Sequence, residues 1–175
     1  VTTDTVSGVA LVDHELKVND VLIARSTSGS AMHIADAINA KTAEHGVTAV
    51  ANNQVSLDVD LSAIPGAAGS FAINKSVVDL SAEATLAGVV SAINGTSLGD
   101  IRASANSDGQ LVLSSASGQD INVRNMSGSS FIRRYTDMNG TESIQGLLSD
   151  TTVDADGLVA STTIAAAGDY SLDGA

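Results

Sequence analysis

Three histidines are the first residues of this chain that could hold a metal ion. His14 is followed by Glu15, and His45 is preceded by Glu44, so each of these histidines has an adjacent carboxylate. Neither pair forms the His-Glu-x-x-His pattern, in which i, i+4 spacing puts two ligands on one face of a helix. His33 stands alone in a segment of helical periodicity. We therefore predict no metal site and interpret the histidines as solvated or capping residues; His45 lies where a helix should end, which favours a cation.

An acidic segment near the C-terminus could bind calcium, which prefers oxygen ligands. It contains Asp150, Asp154 and Asp156, followed by Gly157. The ligand spacing of a calcium loop is incomplete, and no Glu closes such a loop at its twelfth position. We interpret the segment as a hairpin that turns at Asp156-Gly157.

Catalysis has no support from the sequence. The chain has no cysteine, which excludes a thiolate nucleophile, a disulfide and a sulfur-ligated metal. Its many Ser and Thr residues stand in no recognisable arrangement with a His and an acid. The segment GSAMHIADAIN carries one glycine, and neither a phosphate loop nor a dinucleotide fingerprint is present. We therefore predict no catalytic residue, no cofactor and no enzymatic activity.

The composition limits the partners. The formal net charge is −12, from 20 acids against 8 bases, whereas phosphate backbones are bound through Lys and Arg. With no Trp, two Phe and two Tyr, the chain has little material for stacking bases. No apolar run approaches the roughly 18 residues of a membrane-spanning helix, and residues 1–10 lack a signal-peptide pattern. We expect neither nucleic acid nor membrane as a partner, and the composition suits an extracellular β-rich domain.

A repeated register is the strongest organising signal. Four pairs of like residues are separated by nearly the same number of positions: Asn19 and Asn74 by 55, Asn39 and Asn94 by 55, Asn52 and Asn106 by 54, and Gln54 and Gln110 by 56. Small insertions confined to connections are typical of a duplicated folding unit.

Each unit should contain one helix. In the first unit it should run from about Ser30 to His45, with Ser28 and Ser30 as capping candidates and Gly46 at its end. Its apolar face comprises Ile34, Ala35 and Ile38. In the second unit, four apolar residues fall at i, i+3, i+4 and i+7 before Gly95: Leu86, Val89, Val90 and Ile93.

Strand patterns flank both helices. HELKVNDVLIA alternates apolar and polar residues around Asn19-Asp20, which predicts a strand, a turn and a strand. VTAVA and VSLDV flank Asn52-Asn53, and IRASA and QLVLSS flank residues 106–109, so we predict a hairpin after each helix. One helix covering one face of such a sheet gives a ββαββ-like unit, whose strand order stays open.

We therefore predict an α+β, β-rich fold in three parts. Residues 1–64 form the first repeat unit with an N-terminal strand, 65–124 the second, and 125–175 a β-rich tail; the segment around Pro65 is a connector. In the tail, SSFIRRYTDM and TESIQGLLSD are short and ambiguous, and we interpret them as helical turns. GDYSLDGA is similar to GSFAINKS, and we interpret it as the opening of a third, truncated copy.

The repeated segments resemble a known family. Both copies are similar to the motif repeated in the central region of bacterial flagellins, which also occurs in flagellar cap proteins. The similar segments of the first copy are LKVNDVLI and IADAINAKTAEHGVTAVANNQVSLDV, and those of the second are FAINKSVV and VVSAINGTSLGDIRASANSDGQLVLSSASGQDINV. The resemblance covers about Leu16 to Val123, twice over. The first copy lacks the SGQDI continuation after Val59, so its final strand should be shorter or differently paired.

The resemblance implies a structural protein of motility, the outer, surface-exposed region of a flagellin subunit in the extracellular filament. It implies neighbouring flagellin subunits as partners through the full-length protein. The chain has no sustained heptads, so we expect it to be monomeric in isolation. The alternatives are the central domain of the filament cap protein and an extracellular adhesin or carbohydrate-binding module. O-glycans on surface Ser and Thr are left open.

Overall fold

The structure is a computed structural model that describes residues 9–64, 70–125, 131–137, 142–144, 164–166 and 169–173. Its helices are α1 (Ala31–Asn39), α2 (Thr42–His45) and α3 (Leu86–Gly95), with a 3₁₀ turn at Leu61–Ala63. Within the described residues, the strands are β1 (Lys17–Val18), β2 (Val21–Leu22), β3 (Thr48–Val59), β4 (Ser70–Ile73), β5 (Ser76–Asp79), β6 (Ile101–Ala105), β7 (Leu111–Ser115), β8 (Ile121–Asn125), β9 (Ile132–Asp137), β10 (Glu142–Ile144), β11 (Ile164–Ala166) and β12 (Asp169–Asp173). The predicted α+β, β-rich class is confirmed.

The chain packs into two compact units. The first unit comprises Val1–Asn53, Ser115–Asp120 and Ala167–Ala175, and the second comprises Gln54–Ser114 and Ile121–Ala166. This division follows packing, whereas the predicted boundaries 1–64, 65–124 and 125–175 follow the sequence repeat. Those boundaries stay a prediction.

In the first unit, β1 and β2 form the predicted strand-turn-strand. Lys17 pairs with Leu22, and Val18 with Val21. The two turn residues, Asn19 and Asp20, have φ angles of 43° and 68°. Positive φ at both central residues is the requirement of a type I′ turn, which Asn and Asp tolerate better than most residues.

The single helix predicted from Ser30 to His45 is wrong, because the structure divides it into α1 and α2. Ser30 is the N-cap of α1, as predicted, and its hydroxyl accepts from the backbone N–H of His33. After Ile38, the positions that would continue the apolar face are polar, so a continued helix would bury nothing. The chain instead turns before α2, which ends at His45; Gly46, the glycine predicted at the helix end, is its C-cap with a left-handed φ of 75°.

The predicted hairpin at Asn52-Asn53 is also wrong. Both residues lie inside β3, and neither has the positive φ that a two-residue turn requires. Side chains alternate between buried and exposed along the strand, so Asn53 points inward, where its Nδ2 donates to the backbone oxygen of Gln119 at 3.0 Å. In the first unit, β12 pairs antiparallel with the Thr48–Asn52 part of β3.

The first unit has a small core. It gathers the apolar sides of the β1–β2 hairpin, α1 and the start of β3: Val18, Ile23, Ala31, Ile34, Ala35, Ile38, Val47, Ala49 and Ala51. The predicted face of α1 is therefore buried. Four of these nine residues are Ala, and each Ala buries less apolar area than a Leu or Ile would, so the core stays small.

In the second unit, the hairpins that flank α3 belong to different sheets. One sheet has the order β11-β8-β4-β5, and the other has the order β10-β9-β3-β7-β6. The predicted single sheet under one helix is therefore wrong for this unit. The apolar faces of both hairpins instead share one core with α3, which buries more area than one small sheet could.

The second-unit core is larger and contains bulkier side chains. Its buried residues are Val55, Leu57, Ile64, Phe71, Ile73, Val78, Leu80, Val89, Ile93, Leu98, Ile101, Ala103, Leu111, Leu113, Ile121, Val123, Phe131 and Ile132. Leu86 and Val90 pack against it half-buried, which confirms the predicted apolar face of α3. Phe71 and Phe131 lie with ring centroids 5.2 Å apart at 40°, within the range of favourable aromatic pairs.

The described parts of SSFIRRYTDM and TESIQGLLSD form the strands β9 and β10, so the interpretation as helical turns is wrong there. β9 pairs antiparallel with β10 and with Val55–Val59 of β3. Pairing of β3 with β9 gives the first copy a different final partner, as its missing SGQDI suggested. The predicted hairpin at Asp156-Gly157 and the acidic segment from Asp150 lie outside the described residues. The third-copy interpretation of GDYSLDGA stays a prediction.

Candidate functional site: the asparagine brackets

The side chain of Asn39 ties the end of α1 to β3. Its Nδ2 donates to the backbone oxygen of Ala49 at 2.8 Å, and its Oδ1 accepts from the backbone N–H of Ala49 at 2.8 Å. The amide thus presents one donor and one acceptor to the strand, as a neighbouring backbone would. We name this pair of hydrogen bonds the Asn39 bracket.

The side chain of Asn94 makes the same contact after α3. Its Nδ2 donates to the backbone oxygen of Ala103 at 2.9 Å, and its Oδ1 accepts from the N–H of Ala103 at 2.8 Å. We name this pair the Asn94 bracket. Asn is suited to the position because Asp lacks the donor and Ala lacks both groups.

The residues around the two brackets also correspond. Ile38 and Ile93, each directly before the bracket asparagine, are both fully buried. At the other end of the helices, Thr85 caps α3 by accepting from Gly88 N–H at 3.1 Å, 55 positions after the cap at Ser30. The same offset predicts Thr85 as a cap, although periodicity alone does not identify it.

The Asn-containing turns have matched backbone geometry and different partners. Asn74 and Lys75 join β4 to β5 with φ angles of 47° and 72°, as Asn19 and Asp20 do between β1 and β2. Asn74 exchanges two hydrogen bonds with Asn122, through its own N–H and its Oδ1. Asn19 instead donates from Nδ2 to the backbone oxygen of His45 at 2.9 Å. The turns are therefore tied to different elements.

His45 is buried, so its interpretation as a solvated residue or a cationic cap is wrong. The residue is 5% exposed. The backbone N–H of Val47 donates to Nδ1 at 3.1 Å, so the ring proton is on Nε2, which lies 3.0 Å from the backbone oxygen of Ile38. The geometry fixes the neutral Nε2–H tautomer, and His45 joins the end of α1 to the start of β3.

His33 lies in a polar cluster with Ser28 and Ser30 that the sequence analysis did not predict. Its Nδ1 is 2.7 Å from Ser28 Oγ and 3.0 Å from Ser30 Oγ, at the start of α1. Asp120 lies close enough for the His33 charge to lower its pKa, but burial is the larger effect and raises the pKa of that carboxyl overall. Both hydroxyls face the same ring nitrogen and also take part in capping α1, which is a structural network rather than a nucleophile–base–acid relay.

The segment Ser115–Asp120 closes the first unit against α1 and β3. Gly118 accepts from Met32 N–H in the first turn of α1 at 3.2 Å. Gly118 has a φ of 74°, and a Cβ there would lie 2.5 Å from the Cβ of Ala51. Only glycine satisfies both conditions, which gives the SGQD sequence a packing role.

The remaining candidate residues of the sequence analysis are not brought together by the described part of the structure. His14 is exposed, and among the described residues no three His, Cys, Asp or Glu side chains come together to hold a metal. One polar depression in the second unit is lined by Ser56, Asp58, Asp108, Gln110 and Thr136. Within the same described residues, no helix is long and apolar enough to cross a membrane.

These contacts characterise the protein as a β-rich structural module in which asparagine side chains join the helices to neighbouring strands. Residues 66–117 match the family model described as the flagellin hook IN motif, a span that includes α3 and the Asn94 bracket. This match spans 52 of the 175 residues and supports a flagellin-type protein. Flagellins are non-enzymatic, assemble into filaments of subunits and form part of the extracellular bacterial flagellum. No curated protein matches the chain.

Proposed function

We propose that the chain is the outer, surface-exposed domain of a flagellin subunit, where it acts as a passive spacer on the filament. The observation that carries this proposal is the match of residues 66–117 to the flagellin hook IN motif. The Asn94 bracket lies within that match and has only structural partners. The function of such a domain depends on its shape and its surface, and we assign no reaction to it.

The charge of the chain supports this role. A net charge of −12 makes copies repel one another, which favours solubility of a domain repeated many times along a polymer. The absence of cysteine makes the domain independent of the redox state outside the cell. Neighbouring subunits would be contacted through the full-length protein, and the isolated chain would be monomeric.

We further propose that residues 1–64 and 65–124 are two copies of one repeat, followed by the tail 125–175. Three kinds of position at the same 55-residue offset support it: the caps Ser30 and Thr85, the buried residues Ile38 and Ile93, and the brackets at Asn39 and Asn94.

Immunogold labelling of intact cells with antibodies raised against this chain tests the proposed location. We expect gold particles along the whole length of the flagellar filament. Gold confined to the filament tip would contradict the proposal and indicate the cap protein. Gold on the cell body without filaments would contradict it as well and indicate an adhesin. Pre-absorbing the antibodies with the purified chain is the control.

A further inference from the structure

Asn94 is followed by Gly95, and this dipeptide has a chemistry of its own. The backbone nitrogen of the residue after an asparagine can attack the side-chain Cγ. Glycine favours this attack because it has no Cβ to hinder it and it allows a wide range of backbone angles.

The fold opposes that attack at Asn94 in two ways. Asn94 lies in the last turn of α3, where helical backbone angles hold the nitrogen of Gly95 away from the side chain. The Asn94 bracket also holds Cγ towards Ala103 through both atoms of the amide. Asn94 is exposed, so access of water does not protect it. Protection therefore depends on conformation alone.

We propose that Asn94-Gly95 is a deamidation site that opens only when the end of α3 detaches from β6. In the opened state, the Gly95 nitrogen forms a bond to Cγ of Asn94 and the amide nitrogen leaves as ammonia, which gives a cyclic imide. Water then opens the imide to an aspartate or an isoaspartate at position 94. The overall reaction consumes one water, releases one ammonia and needs no other reactant.

The product cannot rebuild the bracket. A carboxylate in place of the amide has no hydrogen to donate to the oxygen of Ala103, and its charge faces that oxygen. An isoaspartate also adds a backbone atom at the end of α3. A chain that has reacted therefore cannot close the contact between α3 and β6 again. The fraction of modified chains increases with the time that the end of α3 has spent detached from β6.

Asn39 is the matched control within the same chain. It makes the equivalent bracket, but Ala40 follows it, and the methyl group of alanine hinders the attack. Trypsin cleavage after Arg25, Lys41, Lys75 and Arg102 places the two residues in separate peptides. Peptides 26–41 and 76–102 each contain a single asparagine, so the mass gain of each is assigned without ambiguity.

The experiment incubates the chain at mildly alkaline pH, folded and in guanidinium, and follows both peptides by mass spectrometry. We expect peptide 76–102 to deamidate at least about ten-fold more slowly in the folded chain, because reaction requires opening. We expect peptide 26–41 to react far more slowly than peptide 76–102 in guanidinium. Equal rates for peptide 76–102 in both states would overturn the proposal, as would equal rates of the two peptides in guanidinium.

Two variants separate chemistry from folding. Gly95→Ala should slow the reaction in guanidinium to about the rate of Asn39 in peptide 26–41, because Ala then follows both asparagines. The fold should be kept, because a Cβ at position 95 meets no atom within 4 Å and its φ is not positive. Ile93→Val should raise the rate in the folded chain by about two- to ten-fold, because it weakens the anchoring of α3. A Gly95→Ala chain whose peptide 76–102 gains mass as fast as that of the parent chain would contradict the proposed chemistry. An Ile93→Val chain with an unchanged rate would contradict the opening mechanism.

Discussion

The helices α1 and α3 begin and end alike, yet the chain behaves differently after each of them. Both have a hydroxyl cap, a buried isoleucine and an asparagine bracket. After Asn39 the chain forms α2 and buries His45, whereas after Asn94 it runs directly to β6. β3 then continues straight through Asn52, whereas β6 turns at Asn106.

The difference shows which parts of the pattern act locally. A cap, a buried face and a bracket use residues of one short segment, so similar sequences give similar contacts. Strand pairing uses partners from elsewhere, and these differ: Thr48–Asn52 pairs with β12, and Val55–Val59 pairs with β9. At Asn106, by contrast, local hydrogen bonds from Asp108 and Gln110 N–H to Oδ1 close the turn.

The largest effect should come from a charge in either core. Ile38→Asp and Ile93→Asp each place a carboxylate at a fully buried position, which costs several kcal/mol unless it is paired. We expect each to unfold its own unit, measured as lost amide-exchange protection in that unit. Val50→Asp, at an exposed position of β3, is the control. Unchanged protection in either variant would show that the two isoleucines are not equivalent.

His45→Ala should be the next largest change and should affect the first unit. It removes two hydrogen bonds and the packing of a buried ring, so we expect a loss of about 2–3 kcal/mol. Chemical denaturation monitored by NMR of first-unit resonances measures it. His14→Ala, at an exposed position, should change nothing. Equal stability of the two variants would show that the buried ring of His45 does not stabilise the first unit.

Asn39→Ala and Asn94→Ala test the brackets as a pair. Each variant leaves a backbone N–H and a backbone oxygen of Ala49 or Ala103 without their partner, at partly exposed sites. We expect losses of about 1–2 kcal/mol in both cases. Asn52→Ala, on the exposed side of β3, is the control. A loss in only one bracket variant would break the correspondence between α1 and α3.

The helix caps should give a smaller effect of the same form. Ser30→Ala and Thr85→Ala each remove an acceptor for an N–H in the first helical turn, which typically costs about 1 kcal/mol. Thermal unfolding measures both losses. Ser30→Thr and Thr85→Ser keep a hydroxyl and should restore most of the stability. A Ser30→Ala loss well above that of Thr85→Ala would indicate that the His33 cluster adds stability to the first cap.

The smallest effect should be the change in stability on acidification, which should have opposite signs in the two units. A hydrogen bond from Ser62 and the nearby Arg133 lower the pKa of Asp60, and Ser81 lowers the pKa of Asp79. Stability from these second-unit groups is present above the unfolded pKa of about 3.9 and is lost as pH falls through their folded values. Burial raises the pKa of Asp120, so first-unit stability rises as pH falls through its folded value.

Amide exchange of the two units as a function of pH measures these slopes. Asp60→Asn should flatten the acid dependence of the second unit alone, and Asp120→Asn should flatten that of the first. Slopes of the same sign in both units would contradict the assigned pKa directions.

The sequence predicted the contacts that depend on neighbours in the chain and missed those that depend on distant segments. The turn at Asn19-Asp20, the cap at Ser30 and the face of α3 rest on local chemistry and are confirmed. The hairpin at Asn52-Asn53 was wrong because Asn-Asn fits both a turn and an alternating strand, and Gln119 decides between them from 66 positions away.

The brackets were missed for a related reason. The repeated Ala-Ile-Asn was visible, but nothing in the sequence identifies the alanine that the asparagine meets 9 or 10 positions later. His45 was misinterpreted because its adjacent acid and helix end suggested solvent, whereas the residue is buried and its ring is hydrogen-bonded to the backbone of Ile38 and Val47.

The central claim is that one asparagine contact fastens a helix to a strand in each unit. Nuclear Overhauser spectroscopy of the side-chain amide protons tests it most directly. The account predicts contacts from the Asn39 amide to Ala49 and from the Asn94 amide to Ala103, both with slowed solvent exchange. Rapid exchange of either amide, without a contact to its alanine, would contradict the account.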